Sequence, residues 1–168
     1  QIIPNNNAAD NSVSNSASSS AWRAIKASDG SLVAPDGNGT TTGTIKLNRV
    51  NNHWEWDTTI SDSKDESRSA AFKDNTAAAS VGDAAKLILM SLALMPDTAL
   101  TGDGIDANYG GDYFWANNAA DERCPIRGGS WDDGGSAGVF YLILSSPRSL
   151  SWTYGGGRSA FVKLPAEA

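Results

Sequence analysis

The side chains that most often carry out chemistry in proteins are scarce in this chain of 168 residues. It has one cysteine, Cys124, and one histidine, His53. A single cysteine excludes an intrachain disulfide framework, and a zinc site or a histidine-dependent triad is not expected with so few of these residues. Cys124 precedes Pro125 and is expected to be a small buried apolar residue. The composition therefore predicts that the protein is not an enzyme.

Carboxylate and amide oxygens are concentrated in residues 101–118, which read TGDGIDANYGGDYFWANN. Calcium prefers such oxygen ligands, and four residues could supply them: Asp103, Asp106, Asn108 and Asp112. Their spacing does not match an EF-hand loop, and aspartate, asparagine and glycine are also the usual turn formers. We expect a loop that is anchored to the core by the aromatic residues 113–115 and that binds no cofactor. Calcium binding is the alternative.

The charge balance narrows the classes of partner. The net charge is −6 and the isoelectric point is about 4.6. An acidic chain lacks the basic surface that binds phosphate backbones, so no nucleic-acid partner is expected. No apolar run reaches the roughly 20 residues of a membrane span, and no signal peptide is visible in the polar N-terminal residues. We therefore expect no membrane insertion.

The chain divides into a polar arm and one domain. Residues 1–20 are rich in asparagine, serine and alanine, and they cannot bury enough apolar area to offset the entropy of ordering. We interpret them as a linker or arm. Residues 21–168 have the length of a single domain. The alternation of predicted strands with one strong helix indicates the α+β class.

Strand and turn signals dominate the first part of this domain. Residues 21–34 contain two short strand patterns around Ser28-Asp29-Gly30, and residues 43–60 contain two around Asn51-Asn52. Both spacings predict β-hairpins. In the second hairpin, Trp54, Trp56 and Thr58 are expected to share one face of a strand, with Glu55, Asp57 and Thr59 on the other.

The one strong helix pattern covers residues 81–95, VGDAAKLILMSLALM. Ser80 is the expected N-cap, with Asp83 three residues later, and Pro96 is expected to end the helix. Because almost every residue after Asp83 is apolar, we expect this helix to be buried on most sides.

The C-terminal segment contains an ordered series of glycine and arginine motifs. They are Arg127-Gly128-Gly129-x-Trp131, Ala137-Gly138-Val139-Phe140, Pro147-Arg148-Ser149 and Gly156-x-Arg158-Ser159-Ala160-Phe161-Val162. The glycine clusters allow sharp turns with positive φ. The arginines can tie loops to the rest of the fold through their planar donor groups.

A strand is predicted immediately after the second of these motifs. Its side chains alternate, so Phe140, Leu142 and Leu144 are expected to face the core. Tyr141, Ile143 and Ser145 are then expected to face outward, where large apolar side chains commonly bind a partner.

As a set, these motifs resemble the C-terminus of C-type lectin-fold variable proteins, which diversity-generating retroelements diversify in phages, other viruses and some microbes. The branch resembled is close to formylglycine-generating enzymes, and the similarity covers about residues 22–164. It implies a C-type lectin-like ligand-binding domain at 21–168 with a variable region at about 127–164. It also implies adhesion to a protein or glycan on a host or target surface, at a virion or cell surface, with an oligomer to supply avidity.

In the resembled proteins, mutagenesis at template adenines replaces side chains between the fixed motifs. Most of the corresponding residues here are encoded by codons reachable from an asparagine codon by changing adenines, Trp152 being the exception. The resemblance implies that the ligand contacts lie at these positions: Ser130, Asp132, Asp133, Ser136, Tyr141, Ile143, Ser145, Ser146, Leu150, Trp152, Thr153 and Tyr154. The large rigid rings of Tyr141, Trp152 and Tyr154 are the expected anchors.

Two other functions stay open at this point. Trp131-Asp132-Asp133 is similar to part of a calcium motif of this fold, which would make the protein a calcium-dependent carbohydrate-binding lectin. A structural virion protein without a ligand is the other alternative. Catalysis of the formylglycine-generating kind needs two reactive cysteines, and this chain has one.

Overall fold

The computed structural model describes residues 24–33, 42–59, 67–117 and 125–146, and these residues form a mixed α+β structure. The expected arm at 1–20 lies outside them. The strands are β1 (Ala24–Ile25), β2 (Leu32–Val33), β3 (Lys46–Val50), β4 (His53–Asp57), β5 (Ser67–Ala71), β6 (Thr76–Ala77), β7 (Tyr113–Asn117), β8 (Ile126–Arg127) and β9 (Leu142–Leu144). The helices are α1 (Asp83–Ser91) and α2 (Asp103–Tyr109).

Both predicted hairpins are confirmed. β1 pairs antiparallel with β2, and the Asp29 carboxylate accepts a hydrogen bond from the Ser31 N–H at 2.8 Å within the turn. β3 pairs antiparallel with β4, with Val50 opposite His53, so residues 51–52 form a two-residue turn. Asn51 has a φ of 52°, a conformation that asparagine tolerates better than most residues. The local turn chemistry therefore determines both hairpins.

α1 is shorter and more exposed than its sequence predicts. It begins after Gly82, whose N–H donates to the carbonyl of Ala27 at 2.7 Å, and the Ser80 hydroxyl hydrogen-bonds to Asp57 instead of capping the helix. Only Ala85 and Leu89 are buried among its residues, whereas Leu87 is 63% exposed. The expectation of a helix buried on most sides is wrong, because a single face of α1 packs against the rest of the described structure.

α1 ends through a left-handed alanine, several residues before Pro96. The N–H of Leu94 donates to the carbonyl of Leu89 and that of Ala93 to Met90, which is the Schellman arrangement. Ala93 holds a φ of 50°, where glycine is normally found. This backbone conformation, rather than the proline, ends the helix.

We predict that Ala93→Gly raises the free energy of unfolding by about 0.5–1 kcal/mol. Glycine avoids the roughly 1–2 kcal/mol cost of a left-handed alanine, and its greater freedom in the unfolded chain offsets part of that gain. Urea denaturation followed by circular dichroism measures the difference. Ala99→Gly, in an exposed segment, is the control and should lower stability or leave it unchanged. A loss of stability in Ala93→Gly would contradict the assigned helix end.

Residues 103–117 form a helix and a strand joined by a three-residue turn, rather than the expected loop. Residues 103–109 form α2, and the Tyr109 hydroxyl accepts a hydrogen bond from the Asp97 N–H at 2.9 Å. Lys73 forms an ion pair with Asp106 of α2. These tertiary contacts fix a helix that its glycine and aspartate content does not favour. In β7, Phe114 is buried while Tyr113 and Trp115 are exposed, so only one of the three aromatic residues anchors the segment as expected.

Four strands form the sheet that positions the C-terminal motifs, in the order β5-β7-β9-β8. β9 is parallel to β7, with Trp115 beside Ile143, and antiparallel to β8. Leu142 and Leu144 face the core, as predicted, and Phe140 packs against it. The second hairpin joins β6 in a separate three-stranded sheet, in which Trp54 and Trp56 share the buried face. No helix among the described residues is long and apolar enough to cross a membrane.

Candidate functional site

The candidate site is built on residues 128–141, called here the display loop. Gly128 and Gly129 have φ values of 92° and 79°, so the loop begins with two residues in conformations that favour glycine. Gly134 also has a positive φ, as its cluster predicts, whereas Gly135 does not. The Gly128 N–H donates to the carbonyl of Tyr141 at 3.3 Å and closes the loop. Glycine therefore determines the path of the backbone here.

Asp112 holds the end of the display loop against the core. Its Oδ2 accepts the Phe140 N–H at 2.8 Å, and its backbone carbonyl accepts the N–H of Phe72 at 2.7 Å. A Cβ on Gly138 would overlap both carboxylate oxygens of Asp112. The carboxylate can occupy this place only because residue 138 has no side chain.

The Phe140 ring extends this attachment into the core. It lies 4.5 Å from the ring of Tyr109 and 5.5 Å from that of Phe72, measured between centroids. These aromatic contacts join the display loop to α2 and to the turn that follows β5.

Asp133 holds the first half of the display loop. Its Oδ2 accepts the N–H of Ser130 at 2.5 Å, and the same carboxylate interacts electrostatically with the Tyr141 hydroxyl. The resemblance implies that Asp133 is an exchangeable ligand contact. In the structure its carboxylate is used within the loop, so its contacts maintain the shape of the surface.

Tyr141 does not face solvent, although the alternation of the strand predicts that it should. Only 3% of its surface is exposed. It lies at the end of the display loop, just before β9, and its hydroxyl interacts electrostatically with the Asp133 carboxylate. The prediction of Tyr141 as an exposed anchor is therefore wrong. Ser146, another implied contact, is also buried.

We predict that the pKa of Tyr141 lies far above that of an ordinary tyrosine. Burial, followed by the adjacent Asp133 carboxylate, raises the pKa of Tyr141 to about 12. The neutral phenol is favoured in the folded protein, so its contribution to stability is complete below pH 10 and is lost as the pH rises through 12. Phenolate absorbance should show a late titration that disappears in Tyr141→Phe. Titration of all tyrosines near the ordinary value would contradict the buried hydroxyl.

The outer face of the four-stranded sheet is apolar and partly exposed. Tyr113 and Trp115 project from β7, and Ile143 lies beside Trp115 and opposite Ile126. Ile143 and Ser145 are half-buried. Ile143 and Ser145, which were expected to face outward, therefore belong to a surface that is only partly exposed to solvent.

The most exposed large apolar side chains of the described structure belong to the display loop. Trp131 is 87% exposed and Val139 is 82% exposed. Asp132, between Trp131 and the bonded Asp133, is exposed as well. Trp131 was assigned to the fixed pattern by its motif, and sequence reasoning missed it as a display residue. The exposure of Trp131 could have been predicted from its neighbours in the sequence, which are polar and form no apolar repeat with it.

Two further implied contacts lie in the same loop. Ser130 and Ser136 are half-buried. The Ser136 N–H donates to the carbonyl of Asp133 at 3.1 Å, in a short 3-10 turn at Gly134–Ser136. The structure thus groups Ser130, Asp132, Asp133 and Ser136 in one loop. The remaining implied contacts lie outside the described residues: Leu150, Trp152, Thr153 and Tyr154.

Arg127 has the tethering role that its type predicts. Its Nη2 donates to the carbonyl of Leu92 at 2.7 Å, so the guanidinium joins β8 to the C-terminal end of α1. A cation at this end of a helix also complements the helix dipole. Burial lowers the pKa of Arg127, and the group stays charged at physiological pH. Arg148 and Arg158 lie outside the described residues, as does Cys124.

The residues considered as calcium ligands have other contacts. Asp106 pairs with Lys73, Asn108 donates to the carbonyl of Gly104 at 2.7 Å, and Asp112 accepts from Phe140. Asp103 begins α2 and is exposed. Across the four described ranges, no group of three or more His, Cys, Asp or Glu side chains is arranged to hold a metal ion.

Comparison with known proteins adds no family assignment. The sequence matches no protein-family model, and a search of curated proteins finds no significant match.

Proposed function

We propose that this domain is a non-catalytic ligand- or receptor-binding protein that presents an exchangeable surface on a C-type lectin-type scaffold. The single observation that carries the proposal is the display loop, where Trp131 and Val139 are almost fully exposed on a backbone that is firmly held. Exposed aromatic residues on a fixed backbone bind partners at low entropic cost. Adhesion at a virion or cell surface is the setting that the sequence resemblance implies.

Some residues hold the display loop in its shape and others are displayed on it, and this division supports the proposal. Asp112, Asp133 and Gly138 make the contacts that define the loop, and Trp131, Asp132 and Val139 make almost none. Replacement of Asp132 would change the surface while the fold is retained, which is what a diversified binding protein requires, and Trp131 and Val139 of the fixed motifs would supply the constant part of that surface. Tyr141, being buried, belongs to the holding group.

The mixed α+β architecture is compatible with the proposed scaffold. It combines two helices with small mixed sheets within the described residues, and β9 lies between two earlier strands. The C-type lectin assignment itself rests on the ordered C-terminal motifs.

Binding arrays test the proposed function directly. The purified domain is applied to arrays of glycans and of cell-surface proteins, with and without a calcium chelator. We expect at least one binder, and about a tenfold weaker interaction for Trp131→Ala, the loss of a hot-spot aromatic. Leu87→Ala, which removes another exposed apolar side chain on α1, is the control and should bind as the wild type does.

Absence of any binder, or equal binding by Trp131→Ala, would contradict the proposal. Binding that a chelator abolishes would favour the calcium-dependent lectin instead. Comparison of this gene among isolates tests diversification separately. Substitutions biased toward adenine sites and concentrated at Ser130, Asp132 and Ser136 support it, whereas evenly spread changes favour a structural protein without a ligand.

A further inference from the structure

The exposed part of the display loop combines an aromatic ring with negative charge. Trp131 is followed by the exposed Asp132 and by Asp133. Val139, toward the other end of the loop, is exposed as well. The loop therefore presents to solvent an aromatic ring at Trp131, an apolar side chain at Val139 and a carboxylate at Asp132.

No basic side chain within the neighbouring segments neutralises this charge. Lys, Arg and His are absent from residues 87–122 and 128–147 of the sequence. The nearest basic residue in the chain is Arg127, whose guanidinium is engaged with the carbonyl of Leu92. Within the described part of the chain, neither Asp132 nor Asp133 forms an ion pair. Within the described ranges, the negative charge of Asp132 is thus not paired with a basic side chain.

A cation fits this combination better than an anion or a neutral group does. Tryptophan has the strongest cation–π interaction of the aromatic side chains, and a carboxylate forms short charge-assisted bonds with guanidinium or ammonium groups. An anionic partner would meet the carboxylates and the overall charge of −6. Arginine satisfies both requirements at once, because its planar group stacks on a ring while donating to an acid.

We propose that the Trp131–Asp132–Val139 surface binds a protein segment in which arginine or lysine alternates with apolar residues. The basic side chain stacks on Trp131 and donates to Asp132, and the apolar side chains contact Val139. This inference rests on the proposed function and specifies the chemistry of its partner.

Nuclear magnetic resonance provides the test. The indole N–H signal of Trp131, assigned with Trp131→Phe, is followed while a capped hexapeptide of alternating arginine and leucine is added. The matched peptide has glutamate in place of arginine, and choline chloride serves as a small cation. We expect the arginine peptide alone to shift the signal progressively at about millimolar concentration, with affinity that falls as salt is added.

Substitutions of matched charge complete the test. Asp132→Asn should weaken the arginine peptide about three- to tenfold, and Trp131→Ala about tenfold. Asp83→Asn makes the same charge change on α1 and should leave the affinity unchanged. An equal loss in Asp83→Asn would show attraction to net charge only and would overturn the inference.

The other outcomes separate this inference from the proposed function. If the glutamate peptide shifts Trp131 as strongly, or choline alone does, the basic-segment inference is wrong while the loop remains a binding surface. If no probe shifts Trp131 but the arrays show binding that depends on it, the inference again fails alone. If the arrays also show no dependence on Trp131, both fail.

Discussion

Gly138→Ala should lower the free energy of unfolding by about 1–3 kcal/mol. The added Cβ would overlap the Asp112 carboxylate, forcing the carboxylate away from the Phe140 N–H. Because this movement relieves the overlap, the expected cost is that of the lost charge-assisted hydrogen bond. Urea denaturation measures the change in stability, and amide exchange at Phe140 reports opening of the display loop.

Gly135→Ala is the matched control for this substitution. A Cβ there meets no atom within 4 Å, so its effect should stay within about 0.5 kcal/mol. In an Asp112→Ala background, Gly138→Ala should cost less than about 1 kcal/mol, because the overlapping oxygens are gone. Equal stability of Gly138→Ala and Gly135→Ala, or additive costs in the double variant, would refute the packing of Asp112 on Gly138.

Trp56→Ala should destabilise the domain by about 3–5 kcal/mol, as truncation of a buried tryptophan generally does. Its Nε1 donates to the carbonyl of Leu94 at 3.2 Å, and its ring meets Phe114 edge-on at 6.5 Å. Trp56 therefore joins the three-stranded sheet to the end of α1 and to the four-stranded sheet. Thermal and urea unfolding measure the effect.

Two variants separate the causes of that loss. Trp56→Phe keeps a ring but loses the hydrogen bond and leaves the Leu94 carbonyl without its donor, so about 1–3 kcal/mol is expected. Trp131→Ala removes the same side chain from an exposed position and should cost less than about 0.5 kcal/mol. A large loss of stability in Trp131→Ala would show that Trp131 packs against the protein in solution, which would also contradict the proposed display role.

Features encoded by neighbouring residues could be predicted from the sequence. The two hairpins follow from Ser28-Asp29-Gly30 and Asn51-Asn52, and the core face of β9 follows from alternation. The positive φ of Gly128 and Gly129 follows from the need for sharp turns. In each case the interaction that determines the structure involves residues only a few positions apart, so it is visible as a pattern in the sequence.

Features that depend on distant contacts could not be predicted. α2 is held by Lys73 and by the Tyr109 contacts, so its own composition indicates a loop. Alternation predicts that Tyr141 faces outward, but Tyr141 precedes β9 and is buried, because the period of a strand does not record the packing of a residue outside it. The exposure of Trp131 could not be predicted from its motif either. A sequence motif gives the identity of a residue and does not show whether other parts of the chain cover it.

The position of β9 has a consequence for synthesis of the protein. β9 follows β7 and β8 in the sequence but lies between them in the sheet. β8 is therefore joined to β7 only through β9. A nascent chain that has not yet released residues 142–144 from the ribosome leaves a hydrogen-bonding edge of β7 open. The sheet is therefore completed only after residues 142–144 have emerged, and until then the exposed edge is a site for chaperone binding or for mispairing with another chain.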